Sequence, residues 1–178
     1  MSNNDRICTI KPHQATEYII RLATPGDAQG IIDLLNPIIR EGGTTAIGIE
    51  IDLDQQSAYL AKAGPRNIFF VAVNRLSGEI IGFQYVEDHH DLPKLCGDIG
   101  SFVKRGNGRQ GIASAMNHLT FAKARSSGFV ELNATIRADN ISGLEFYEHS
   151  GFYTVSIKPQ QLLDNGEPVD RINKRLAL

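Results

Sequence analysis

"RGNGRQGIASAM", residues 105–116, carries the spacing Gly-x-Gly-x-x-Gly at Gly106, Gly108 and Gly111. A strand-like run, "GDIGSFV" at 97–103, leads into it. Ile112, Met116, Leu119 and Phe121 lead out at helical spacing, from about 111 to Ser127, and Gly128 closes the helix. Glycines let main-chain N–H groups approach an anion without a Cβ in the way. The helix opening at Gly111 aims its unpaired N–H groups and positive end at the same point. Lys104, Arg105 and Arg109 add positive charge. The functional reading is a phosphate site; the plain one is a solvated basic turn.

Working outward, strand and helix patterns continue on both sides. "NIFFVAV" and "IIGFQYV" flank a Ser77-Gly78 turn and read as a hairpin. "SAYLAKAG", residues 57–64, reads as a short helix running to Pro65. Ile31, Leu34, Leu35, Ile38 and Ile39 predict a helix from Asp27, stopped by Gly42 and Gly43. Pro37 lies inside that pattern and is expected to kink or divide it. "EYIIRLAT", residues 17–24, reads as a first strand. On the other side, "FVELNATI" reads as a strand and "DNISGLEFYEHSG" as a helix capped by Asp139 or Asn140 and ended by Gly151. "FYTVSI", the turn "DNGEP" and "VDRINKRLAL" supply two last strands. The order predicts an α+β fold: a mixed sheet with helices, in a single domain at 17–178 after an N-terminal extension at 1–16.

A dinucleotide-binding fold demands more of the glycine loop. It wants crossover units and an acidic residue at the end of the next strand. Glu131 lies 20 residues after Gly111 but near the start of "FVELNATI". Only 67 residues follow Gly111, too few for a second half.

From Ile99 onward the chain instead resembles the GCN5-related N-acetyltransferases, the GNAT superfamily. The resemblance rests on "IGSFVKRGNGRQGIASAM" and "NISGLEFYEHSGF", and covers roughly residues 67–157. The family loop pattern Gln/Arg-x-x-Gly-x-Gly/Ala becomes Gly108-Arg109-Gln110-Gly111-Ile112-Ala113, with Gly108 in place of the first residue. In the second motif Asn140, Leu144, Phe146, Tyr147, Gly151 and Phe152 match, while Gly143 replaces an alanine. The resemblance implies a mostly antiparallel sheet of six to seven strands flanked by helices, and the pyrophosphate of acetyl-CoA as the bound anion.

It also implies a reaction and a site. An amine attacks the thioester carbonyl of acetyl-CoA in a ternary complex, and a thiolate leaves. Main-chain groups of Ser101, Phe102 and Val103 would pair with the pantetheine arm. Arg109, Gln110, Gly111, Ile112, Ala113 and Ser114 would hold the pyrophosphate, and Asn140 would contact the cofactor. Tyr147 occupies the general-acid position. A Glu that many N-terminal acetyltransferases carry is here Thr135, so the base lies elsewhere. Asp98, where phosphinothricin-type acetyltransferases carry a Glu, leads, with Glu87, Asp88, His89 and His90 as rivals. "NPIIREGGTTA", residues 36–46, is faintly similar to the phosphinothricin acetyltransferase branch and suggests a small amine or amino acid bearing an anionic group, with Arg40 as its partner. The alternatives are a protein or peptide N-acetyltransferase and a non-catalytic acyl-CoA-binding sensor. Dimers are common in the family, and the C-terminal strands are candidates to contribute to a homodimer.

Composition bounds the rest. A net charge of −2 over 178 residues gives no general pull toward nucleic acid or an anionic membrane. Cys8 and Cys96 lack metal-site spacing and read as free thiols in a reducing compartment, so no metal is expected. With no secretory leader pattern and no span-length apolar run, the expected location is cytoplasmic.

Overall fold

The β-branched and aromatic runs pair into one eight-stranded sheet. In the computed structural model, which describes residues 8–10, 17–62 and 64–178, the strands are β1 (Cys8–Ile10), β2 (Tyr18–Leu22), β3 (Ile68–Asn74), β4 (Ile80–Asp88), β5 (Cys96–Val103), β6 (Glu131–Arg137), β7 (Tyr153–Leu162) and β8 (Pro168–Ala177). Their order across the sheet is β1-β2-β3-β4-β5-β6-β8-β7. All neighbours are antiparallel except β5 and β6. That parallel step needs a crossover, which the helix after the glycine loop provides.

The mixed, mostly antiparallel sheet agrees with the expectation, with one strand more. The extra strand comes from the segment read as an extension: Cys8 pairs with Ile20 and Ile10 with Tyr18. The remainder of that segment, and the Cys8 thiol, lie outside the described residues.

Among the described residues four α-helices cover the sheet: α1 (Ala28–Glu41), α2 (Leu53–Ala61), α3 (Ile112–Ser126) and α4 (Ile141–His149). α1 and α2 pack Ile31, Leu34, Leu35, Ile38 and Leu60 on Phe69, Val71, Val73 and Phe83. On the opposite face α3 and α4 pack Ile112, Met116 and Tyr147 against Ile68, Phe70, Val86, Ile99 and Leu132.

Three elements differ from their sequence reading. Pro37 sits inside a single α1 and does not divide it. Buried Ile31, Leu34 and Leu35 precede it and Ile38 and Ile39 follow. At ~1.5–3 kcal/mol per buried side chain, that stripe outweighs the ~3 kcal/mol of an interior proline. α2 begins at Leu53, not Ser57, because Asp52 and Gln55 form a reciprocal cap: Gln55 N–H donates to Asp52 Oδ1 (2.7 Å) and Asp52 N–H to Gln55 Oε1 (3.0 Å). β7 runs on to Leu162 past Pro159, which an edge strand with an irregular register at Lys158–Gln161 accommodates.

Candidate active site

β5 and β6 pair only at Cys96↔Glu131, Gly97↔Leu132 and Asp98↔Asn133. On its other side β5 stays paired with β4 up to Val103. From Ile99 onward, therefore, the edge of β5 that faces β6 has no ladder partner. A cleft of about 370 Å³ opens there, lined by Ile99–Phe102, Thr135, Asn140, Tyr147 and the Thr44–Ile47 segment. Unpaired main-chain groups in such a place call for a partner, and an extended ligand with amides of its own meets that need.

Tyr147 stands at the opening. It is 7% exposed, and its hydroxyl donates to Ser101 Oγ (3.2 Å) and Ile99 O (3.4 Å). Phe146 and Phe152 hold the ring edge-on, with centroids 5.1 and 5.0 Å away. Gln84 Nε2 donates to Ser101 Oγ and to Asn117 Oδ1, both at 2.7 Å, fixing Ser101 in turn. Burial pushes the Tyr147 phenol well above its ordinary range, so it stays protonated at working pH.

The carboxylates lie on the other face. Glu87 and Asp98 are direct cross-strand partners on β4 and β5, which puts both side chains on one face, close together. Tyr59 Oη donates to Glu87 (2.9 Å) and Asn133 Nδ2 to Asp98 (3.0 Å). Burial raises both pKa values; the Tyr59 bond opposes this at Glu87 and the Asn133 bond at Asp98. The rivals fare differently. Asp88 is exposed and tied to Arg66. His90 is exposed and pairs with Asp91. His89 lines the cleft, and its Nδ1 accepts from the Asp91 N–H (3.2 Å).

The glycine loop forms the third part. Gly106 (φ 85°), Arg109 (φ 61°) and Gly111 (φ 76°) all lie in the left-handed region, and no side chain caps α3. The first-turn N–H groups of Ile112, Ala113 and Ser114 have no carbonyl one turn back. Lys104 pairs with Glu79, and Arg105 with Glu41 (2.8 Å). Arg109 has no ion-pair partner among the described residues, so it is the cation left for an anion.

A family model for the acetyltransferase (GNAT) domain matches residues 20–172. The chain belongs to the GNAT acetyltransferase family. No curated protein sequence matches it. Among solved structures, an acetyltransferase of the GNAT family from Streptococcus pneumoniae is 22% identical, with TM-score 0.77 over 91% of this chain and 100% of that one. A ribosomal-protein-alanine N-acetyltransferase from Brucella melitensis is 17% identical, with TM-score 0.79 over 89% and 99%. A GNAT phosphinothricin acetyltransferase from Sinorhizobium meliloti, in complex with acetyl-CoA, is 15% identical, with TM-score 0.80 over 90% and 88%. The last two act on very different acceptors, so likeness of fold leaves the substrate class open.

This GNAT chain departs from the family motifs at Gly108, Gly143 and Thr135, and the structure explains them unequally. Gly108 has ordinary φ and nothing within 4 Å of an added Cβ, so neither backbone nor space requires a glycine there. Gly143 is different. A Cβ there would stand 2.5 Å from Asn140 Nδ2 and 2.9 Å from its Cγ. Asn140 uses that space to cap α4, its Oδ1 accepting from Gly143 N–H (2.9 Å), while Nδ2 donates to Thr44 O (2.8 Å). Both polar ends of Asn140 are thus engaged within the protein. Thr135 is engaged as well, donating to Asn173 Oδ1 (2.9 Å).

Residues the motifs do not mark also stand at this site. Tyr59, Tyr85, Lys158 and Arg171 border the cleft or the carboxylate pair. Tyr85 lies against Gly100, where an added Cβ would meet its Cε1 at 2.3 Å. The alternation of Phe83, Tyr85 and Glu87 in "IIGFQYVED" places these three on one strand face, and was the available sign. Arg40, read as the partner of an anionic substrate, holds Glu50 in a two-pronged pair with both bonds at 2.9 Å, and it does not line the cleft. Cys96 is buried and its thiol is pushed up to about 11 by burial, which makes it a structural thiol. Among the described residues no group of His, Cys, Asp and Glu is placed to hold a metal, and no helix is long and apolar enough to cross a membrane.

Proposed function

We propose that the protein transfers the acetyl group of acetyl-CoA to a primary amine of a small molecule or amino acid. The observation that carries this reading is the split of β5 from β6 at Asp98 and Asn133, with Tyr147 at its mouth. Main-chain groups of Ser101, Phe102 and Val103 would pair with the pantetheine arm. Arg109 and the N–H groups from Gln110 to Ser114 would hold the pyrophosphate. Asn140 would contact the cofactor by exchanging or sharing its bond to Thr44.

In the chemical step the amine nitrogen, freed of its proton by Asp98 or Glu87, attacks the thioester carbonyl. The C–N bond forms, the C–S bond breaks, and the second proton that the nitrogen sheds in becoming an amide passes to the departing sulfur. A thiol has pKa ~8.5, well below that of the buried Tyr147 phenol, so full transfer from Tyr147 is uphill. Its first service is a hydrogen bond to the charge growing on sulfur.

Thr135 in place of a glutamate argues against an N-terminal acetyltransferase, and the retained Tyr147 argues against a bare sensor. We place the enzyme in the cytoplasm, where the Cys96 thiol stays reduced. We also propose a homodimer: edge strand β7 leaves Tyr153, Val155, Ile157 and Leu162 exposed, and pairing with a second copy would cover them. Calorimetric titration with coenzyme A tests the core of the proposal, followed by thiol release from acetyl-CoA with a panel of amines. Binding plus amine-dependent release is the expected result. Absence of coenzyme A binding would overturn the reading, and binding without release from any amine would favour the sensor.

A further inference from the structure

A second cavity, of about 460 Å³, shares Ile47, Tyr85 and Phe102 with the cleft. It lies on the face covered by α1 and α2. Leu35, Ile51, Tyr59 and Phe83 form its walls, and Glu87 is the one acidic residue lining it. No lysine, arginine or histidine among the described residues lines it. Its size falls in the range of small-molecule pockets. Tyr85, which lies against Gly100 and stacks on Phe102 at 6.5 Å, lines both the cavity and the cleft. Gln56, 2% exposed, lines the cavity with an Nε2 that has no partner among the described residues.

We propose that this cavity seats the side group of the acceptor, so that the substrates are primary amines with an apolar, uncharged side group. The inference rests on the acetyltransferase reading above and adds the substrate class. An ammonium group entering from the cavity meets Glu87 and, across the ladder, Asp98. The body behind it is surrounded by aliphatic and aromatic walls. An anionic side group would be buried beside Glu87 without a cation, which is strongly unfavourable. The Gln56 amide can meet one neutral hydrogen-bonding group on the substrate.

Two sources offer this chemistry: an arylalkyl amine, and an amino acid with an apolar side chain. They differ in a carboxylate, for which Lys158 and Arg171 stand on the far side of the cleft. Turnover with acetyl-CoA should therefore be measured in two series. One runs from ethylamine to 2-phenylethylamine, the other from L-alanine to L-phenylalanine, with L-glutamate and L-phosphinothricin as anionic controls. Within the productive series kcat/KM should rise about 100-fold from the methyl to the benzyl end, as burial of the added apolar surface dictates. The anionic controls should fall below both ends. The series that responds identifies the source.

Ile51→Lys gives a second arm. The Ile51 backbone is pinned by Asn36 on both its N–H and C=O, each at 2.9 Å, and the exchange puts a cation into the cavity. Preference should move from L-phenylalanine or 2-phenylethylamine toward L-glutamate, a gain that misfolding cannot mimic. Flat series, or a wild-type preference for the anionic controls, would overturn the proposed substrate class while leaving acetyl transfer intact. Coenzyme A binding with every amine in both series inert would overturn it too. Failure of coenzyme A itself to bind would instead remove the parent reading.

Discussion

At the scale of single residues, Tyr147 and Gly143 make opposite points about the same helix. Tyr147 was legible from its motif, and the structure places it on Ser101 and Ile99 at the cleft. Tyr147→Phe removes the phenol hydroxyl from the cleft and keeps the ring packing. Turnover is expected to fall about ten- to a hundredfold, the worth of one hydrogen bond to a developing charge, with coenzyme A affinity unchanged by calorimetry. Undiminished turnover would take Tyr147 out of the chemistry. By helix propensity alone Gly143 weakens α4, since Ala is better in a helix by ~1 kcal/mol. The structure shows instead that its missing Cβ makes room for Asn140. In Gly143→Ala the propensity gain and the loss of an Asn cap, ~1 kcal/mol, nearly cancel, so the melting temperature should move by no more than about 3 °C. The KM for acetyl-CoA should rise severalfold as Asn140 is displaced. An unchanged KM would reduce Asn140 to a cap. The pairing of Glu87 with Asp98 could not be read from sequence at all, because it depends on the register of β4 against β5.

At the scale of elements, periodicity was a sound guide wherever a segment buries one face against one layer, as α1, α3 and β6 do. It was weaker where side-chain capping sets the boundary. The Asp52–Gln55 cap of α2 was present in the sequence, but no apolar stripe announces it. The one parallel step, and the split that follows it, arise from the crossover of α3 and from what lies beside β5. Local pattern carries neither. The glycine loop shows the same division. Gly111 needs its positive φ, while Gly108 does not. Gly111→Ala forces a side chain into the left-handed region at a cost of ~1–2 kcal/mol. The loop should relax and coenzyme A bind roughly tenfold more weakly. Gly108→Arg puts a cation beside α3 without strain and should tighten binding by about two- to fivefold. If Gly108→Arg weakens binding and Gly111→Ala does not, the anion sits elsewhere.

At the scale of the whole molecule, the cleft lies where β5 and β6 part within the sheet, and burial there works against ionisation of its carboxylates. Burial keeps Asp98 from ionising as easily as in the unfolded chain. A carboxyl raised in the native state binds its proton more tightly there, so its contribution favours folding at low pH and is lost as pH rises through the folded pKa. Below its ordinary value of 3.8, Asp98 is protonated in both states and the penalty vanishes. Asp98→Asn removes the ionisation, and the Asn133 amide can still donate to the new side-chain carbonyl. The variant should therefore melt at nearly the same temperature as the parent near pH 3.5 and above it at pH 7–8, by thermal denaturation across that range. If Asp98 is the base, the same variant should lose turnover and the rise of rate with pH. A variant less stable than the parent at pH 8 would mean that the Asn133 bond outweighs desolvation. A more stable variant with an unaltered pH–rate profile would pass the role of base to Glu87, its neighbour across the ladder.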